Sequence, residues 1–136
     1  MAPLSIAKIP YLLDGRLAQA LPLVDIAWQG KKFAVPPCKI WIRPTCKAGG
    51  LVDLEKGEYG YSRRVGVYII DVYAPNNLDP ADAWGVAELL EKEFRRVCIG
   101  GIQTEDPDSA NMGVEKDNDS FRVRVAALSR QLPLRE

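Results

Sequence analysis

The stretch Arg63-Arg64-Val65-Gly66-Val67-Tyr68-Ile69-Ile70-Asp71-Val72-Tyr73 decides the fold. Side chains of an extended chain alternate between two faces. One face here carries Val65, Val67, Ile69, Asp71 and Tyr73, and the other carries Gly66, Tyr68, Ile70 and Val72. Near-continuous apolar character marks a strand covered on both sides. One helix from the same chain covers only one of those faces, so the pattern points to a subunit that packs against further protein.

Downstream, the clearest helix starts at Asp79, an N-cap residue, with Pro80 in the first helical position and Asp82 three residues after the cap. Ala83, Ala87, Leu90, Phe94 and Val97 then form one apolar stripe, and Gly100-Gly101 is expected to stop the helix. Trp84 stands one residue off the stripe, where it reaches either core or partner.

Upstream, Leu13, Leu17, Ala20 and Leu21 recur at helical spacing within Ser5 to Leu21. Pro10 suits the first position of the regular helix and Pro22 ends it. Strands are expected over Val24–Gln29 and Lys39–Arg43, the second bounded by Pro36-Pro37 and Pro44. Residues 45–62, with Gly49-Gly50, Gly57 and Gly60, read as a long flexible loop, with Leu51 to Leu54 a candidate short strand in a protruding hairpin.

The last third reads as strands: Ile102–Glu105, Met112–Lys116 and Phe121–Leu128. Asp106 to Ser109 and Asp117 to Ser120 read as turns, and the tail 130–136 as frayed. In the last strand Phe121, Val123, Val125 and Ala127 share one face, Arg122 and Arg124 the other. The length suits a single domain over 1–136.

Composition narrows function. The chain has no histidine, so Ser-His-Asp and Cys-His nucleophile pairs are excluded. Cys38, Cys46 and Cys98 form no C-x-x-C pair, which suits reduced thiols in a cytosolic setting, although Cys38 and Cys46 could pair across a hairpin. The carboxylates Glu105, Asp106, Asp108, Asp117 and Asp119 lack the ordered positions of a Ca²⁺ loop, and no phosphate-binding glycine fingerprint occurs. No catalytic, metal or cofactor residues are assigned. The chain shows neither a signal peptide nor an apolar run of about 20 residues, so no membrane partner is expected.

Lys plus Arg equals Asp plus Glu at 18 each, which argues against strong nonspecific attraction to nucleic acid and leaves little repulsion between copies. Arg63, Arg64, Arg122 and Arg124 make a basic stripe if their strands are neighbours, read either as phosphate contacts or as a solvated, ion-paired rim. With Tyr68, Ile70 and Trp84 they are the candidate subunit-interface or lumen residues.

The order of "GRLAQALP", "VDIAWQGKKFAVPPCKIWIRP", "RRVGVYIIDVYAP", "DPADAWGVAELLEKEFRR" and "FRVRVAALSRQ" resembles the tail-terminator-like (tail-completion) proteins of long-tailed bacteriophages. The pattern that carries it is Gly66, Tyr68, Asp71, Val72, Tyr73 and Pro75 followed closely by an acid-capped helix, and the resemblance spans nearly the whole chain. It implies an α+β fold, helices packed on a mixed or antiparallel sheet, in a structural, non-enzymatic virion protein made in the host bacterial cytoplasm. It implies a homohexameric ring that ends the tail tube at its head-proximal side, meets the tube protein and the head–tail connector or neck, and lets double-stranded DNA pass without sequence-specific binding. A neck or head-closure adaptor of similar fold is the alternative. A small ligand-binding domain or enzyme is the reading from another class, and its mark would be a concave pocket with convergent polar groups.

Overall fold

A computed structural model describes residues 8–22, 24–34, 36, 39–53, 62–75, 80–100, 102–115 and 120–131. Helix α1 (Lys8–Ala20) leads to strands β1 (Asp25–Ile26), β2 (Trp41–Asp53) and β3 (Ser62–Pro75), then helix α2 (Pro80–Phe94). Strands β4 (Cys98–Ile99), β5 (Ile102–Thr104), β6 (Asp108–Glu115) and β7 (Ser120–Gln131) follow. The strands form one sheet in the order β1-β2-β3-β7-β5-β4, with β6 also on β7. β1 lies parallel to β2 and the other pairs are antiparallel, so the sheet is mixed. β6 lies along Ser120–Ala126 of β7, and β5 along Ser129–Gln131.

Both helices cover the same face. Ile9, Leu13 and Leu17 of α1 and Ala83, Ala87, Leu90 and Phe94 of α2 are buried over Ile42, Tyr68, Ile70, Val72, Ala74, Val123, Val125 and Ala127. The stripe read along α2 is therefore the packing stripe, apart from Val97, which lies beyond the helix end and is only partly buried.

α1 starts at Lys8, two residues before Pro10. Proline is tolerated there because first-turn N–H groups have no intrahelical acceptor. Asp79 lies outside the described residues, but Asp82 sits in the first turn of α2, where a carboxylate faces the positive end of the helix dipole. α2 ends at Phe94, before the glycines expected to stop it. Arg96 takes the left-handed conformation with φ 48°. The buried Thr104 hydroxyl donates to the Phe94 carbonyl and accepts from the Val97 N–H at 3.0 Å. Gly100, at φ 53°, turns β4 into β5, and a Cβ there would lie 2.9 Å from Leu12 Cδ1.

β2 corrects two expectations. Pro44 does not end it, and residues 45–53 are strand rather than loop, paired with β3 as far as Asp53↔Ser62 across an irregularity between Ala48 and Leu51. Proline fits a strand where its nitrogen faces an unpaired edge. The Ala27 N–H donates to Ile42 O, and the Cys46 N–H donates to Gln29 Oε1 at 3.4 Å, so even-numbered residues of β2 turn their backbone groups outward. β1 pairs only with Trp41 and Ile42, and the Pro44 nitrogen therefore has no strand to serve. Residues 54–61 lie outside the described residues.

The first predicted strand, Val24–Gln29, shrinks to β1. β6 begins at Asp108, inside the expected turn. The C-terminal tail starts later than expected, because Arg130 and Gln131 belong to β7 and pair with Val65, Gln103 and Ile102. Residues 132–136 and the turn residues 116–119 lie outside the described residues, as does Cys38 with its possible pairing. Cys46 and Cys98 are free thiols.

Candidate functional site

The helix-free face of the sheet collects the other half of every long strand. Along β3 it presents Val65, Val67, Ile69, Asp71 and Tyr73. The register sets Arg43 and Arg124 on either side of Asp71, and Trp41 and Arg122 on either side of Tyr73. At the Tyr73 end the surface closes over a small second core of Ala27, Trp41 and Tyr73 with Phe33 against it. The Trp41 and Tyr73 rings stack at 4.1 Å, and Phe33 tilts against Trp41 at 5.2 Å. The Arg43 guanidinium lies 5.2 Å from the Trp41 ring centroid, and that of Arg122 lies 6.0 Å from Tyr73. In the middle, Arg124 Nε donates to Asp71 Oδ1 at 2.9 Å, and Asp71 is only 6% exposed. At the other end the face opens: Val65 is 36% exposed, and Val67 and Ile69 are partly so. The sequence marks Trp28 and Trp41 as core or interface aromatics but does not pair Trp41 with Tyr73, although each alternates with a core residue, Ile42 and Val72.

The predicted residues separate. Tyr68 and Ile70 are fully buried beneath the helices, so as single-subunit features they are core, not interface or lumen. Both helices cover this one face, so neither covers the face of Val65, Val67, Ile69, Asp71 and Tyr73. Arg122 and Arg124 sit near one end of β3. Arg63 and Arg64 lie beyond its pairing with β7, with Arg64 about 23 Å along the strand from Asp71. The four arginines therefore make no single stripe. Trp84 is 39% exposed on α2, available to a partner.

A groove of about 640 Å³ runs along α1, lined among others by Tyr11, Leu12, Asp14, Arg16, Trp28 and Lys31. Its polar groups are largely engaged within the chain. Asp14 accepts the Tyr68 hydroxyl, Arg16 donates to the Glu93 carbonyl and pairs with its carboxylate at 3.3 Å, and Gln29 serves the Cys46 N–H. Burial pushes the Asp14 carboxyl above its ordinary 3.8, with the Tyr68 hydrogen bond pulling the other way. Burial and the neighbouring carboxylate push the Tyr68 phenol up, and burial with the Asp14 charge raises the Cys46 thiol.

A carboxyl whose folded pKa is raised binds its proton more tightly when folded. Its contribution to stability grows as pH falls through the folded value toward 3.8 and is a cost at neutral pH. Asp14→Asn keeps an acceptor for Tyr68 without the charge. The variant is expected to melt higher than the parent at pH 7, with the gap closing as pH approaches 3.8. A gap that does not change with pH would show that the carboxyl is not desolvated.

Among the described residues no group of three or more His, Cys, Asp or Glu side chains is placed to hold a metal ion, and no helix is long and apolar enough to cross a membrane. No family model matches the sequence, and no curated protein matches it. Ten solved chains match in structure. One of these, 20% identical, superposes with a TM-score of 0.72 over 98% of this chain and 99% of its own. The fold is α+β. At that identity the likeness concerns fold alone.

Proposed function

We propose that this chain is a virion structural protein of a long-tailed bacteriophage. It assembles as a homohexameric ring that ends the tail tube at its head-proximal side and presents a surface for joining the head. The observation that carries the reading is the helix-free sheet face, where partly exposed Val65, Val67 and Ile69 form an aliphatic end, with Lys47 in register with Val67. Exposed aliphatic surface of that kind suits burial against another protein. Among the described residues the β2–β3 pair also extends beyond its pairing with β7, with Leu51–Asp53 opposite Ser62–Arg64. A two-stranded ribbon is marginal by itself, so a neighbouring subunit or the tube supports it. The resemblance in element order favours the same reading. DNA in the lumen meets cations as phosphate contacts, without base readout.

Light scattering over a concentration series is expected to approach a six-fold mass, and purified tubes incubated with the protein are expected to carry density at one end in electron micrographs. A protein that stays monomeric at high concentration and does not bind tube protein overturns the reading. Capture by connector but not by tube protein moves the assignment to the neck adaptor.

A further inference from the structure

We infer that copies of this chain meet head to tail, the basic flank of the sheet at β1–β2 in one copy facing the acidic flank at β5–β6 of the next. The inference rests on the ring reading and names the two surfaces that form it.

The neutral total hides a separation of charge. Around β1 and β2, Lys31, Lys32, Lys39, Arg43 and Lys47 are exposed, as is the acid Asp25. Across the sheet, Glu105, Asp106 and Asp108 are exposed where β5 leads into β6, and Asp82 and Glu88 are exposed on α2, which packs beside β6. The exposed cations on that side among the described residues, Lys92, Arg95 and Arg96, are fewer than these acids and lie beside Glu88, Glu91 and Asp106, so the surplus there is negative. One flank is left positive and the other negative, with β3 and β7 between them.

This arrangement selects the kind of contact. A two-fold interface uses one patch twice, and either flank doubled would set like charges face to face. The flanks lie at opposite edges of the sheet, so one partner cannot reach both. A head-to-tail contact pairs them, and repeated contacts of that kind close into a ring. Apolar surface accompanies each flank. Beside the lysines the groove offers Leu12, Ala18 and Trp28. Beside the carboxylates Trp84 is 39% exposed and Val114 59%. Simple continuation of the sheet is disfavoured, because β6 carries an irregularity between Asn111 and Gly113 and β2 carries Pro44. The contact is therefore made by side chains.

The test reverses each flank separately, as Lys31→Glu with Lys32→Glu in one chain and Glu105→Lys with Asp108→Lys in another. Circular dichroism first checks that both variants melt as the parent does. Each alone is expected to associate about tenfold or more weakly than the parent, and an equimolar mixture is expected to recover the parent mass. Raising salt from about 0.05 to 0.5 M is expected to weaken association of the unaltered protein. Reversed variants that assemble like the parent, a folded mixture that fails to recover, or association indifferent to salt would overturn the inference while leaving the ring intact. A parent that never exceeds monomer mass, with or without tube protein, removes both.

Discussion

Phe94→Ala is expected to lower the free energy of unfolding by about 3–5 kcal/mol, the range for truncating a fully buried aromatic ring. Phe94 is 0% exposed, and its ring lies 5.7 Å from that of Tyr68. Its backbone is held as firmly as its side chain, because its carbonyl receives the Thr104 hydroxyl. The end of α2 therefore cannot slide inward to fill the space, and an unfilled cavity sets the upper part of the range. Urea unfolding measures the loss, with an unchanged slope indicating an unchanged folded state. Leu89→Ala on the same helix is the control: Leu89 is 54% exposed, and its truncation is expected to cost about 0.5 kcal/mol or less. A loss below about 1 kcal/mol for Phe94→Ala would contradict the packing of α2 on the sheet.

Phe94 also marks how far the sequence could be read. Its stripe with Ala83, Ala87 and Leu90 repeats every three or four residues, a local pattern that fixes both the helix and its buried face. The alternation of Val123, Val125 and Ala127 with Arg122 and Arg124 in β7 was legible for the same reason. Pro44 and Gly49-Gly50 misled because they are breakers only where the backbone needs a second partner. That need depends on β1 ending at Ile26, opposite Ile42 of β2, which no local pattern records. The termination of α2 depends on Thr104, ten residues further along and in another strand.

The central strand was read correctly as apolar on two faces, yet the use of those faces was not legible. Tyr68 and Ile70 look like interface candidates until α1 and α2 are seen to share one side of the sheet. The partner of Tyr68 is Asp14, 54 residues away, and no spacing rule joins them. On the opposite side, the division into an aromatic cluster, a buried ion pair and an open aliphatic end follows from register with β2 and β7. Register belongs to strand pairs, so a single strand's composition does not show it.

The ion pair on that face gives the second large expected effect. Arg124→Ala is expected to cost about 2–4 kcal/mol, more than Asp71→Ala, even though both remove the same bond. The difference lies in what is left behind. The side chain of Asp71 is 8% exposed and that of Arg124 is 36% exposed, so a stranded Asp71 stays a buried carboxylate while a stranded Arg124 reaches water. Asp71→Ala is accordingly expected to cost about 1–2 kcal/mol. Among the described residues Arg43, in register with Asp71 from the other side and lying over Trp41, is aligned to take over part of that role. Arg43→Ala combined with Arg124→Ala is therefore expected to cost more than the two changes added together. Equal losses for Asp71→Ala and Arg124→Ala, read from urea midpoints at constant slope, would show that water reaches the carboxylate. A pair buried in the free subunit would instead make Asp71 the anchor that holds the arginines of the open face in place before any neighbour arrives.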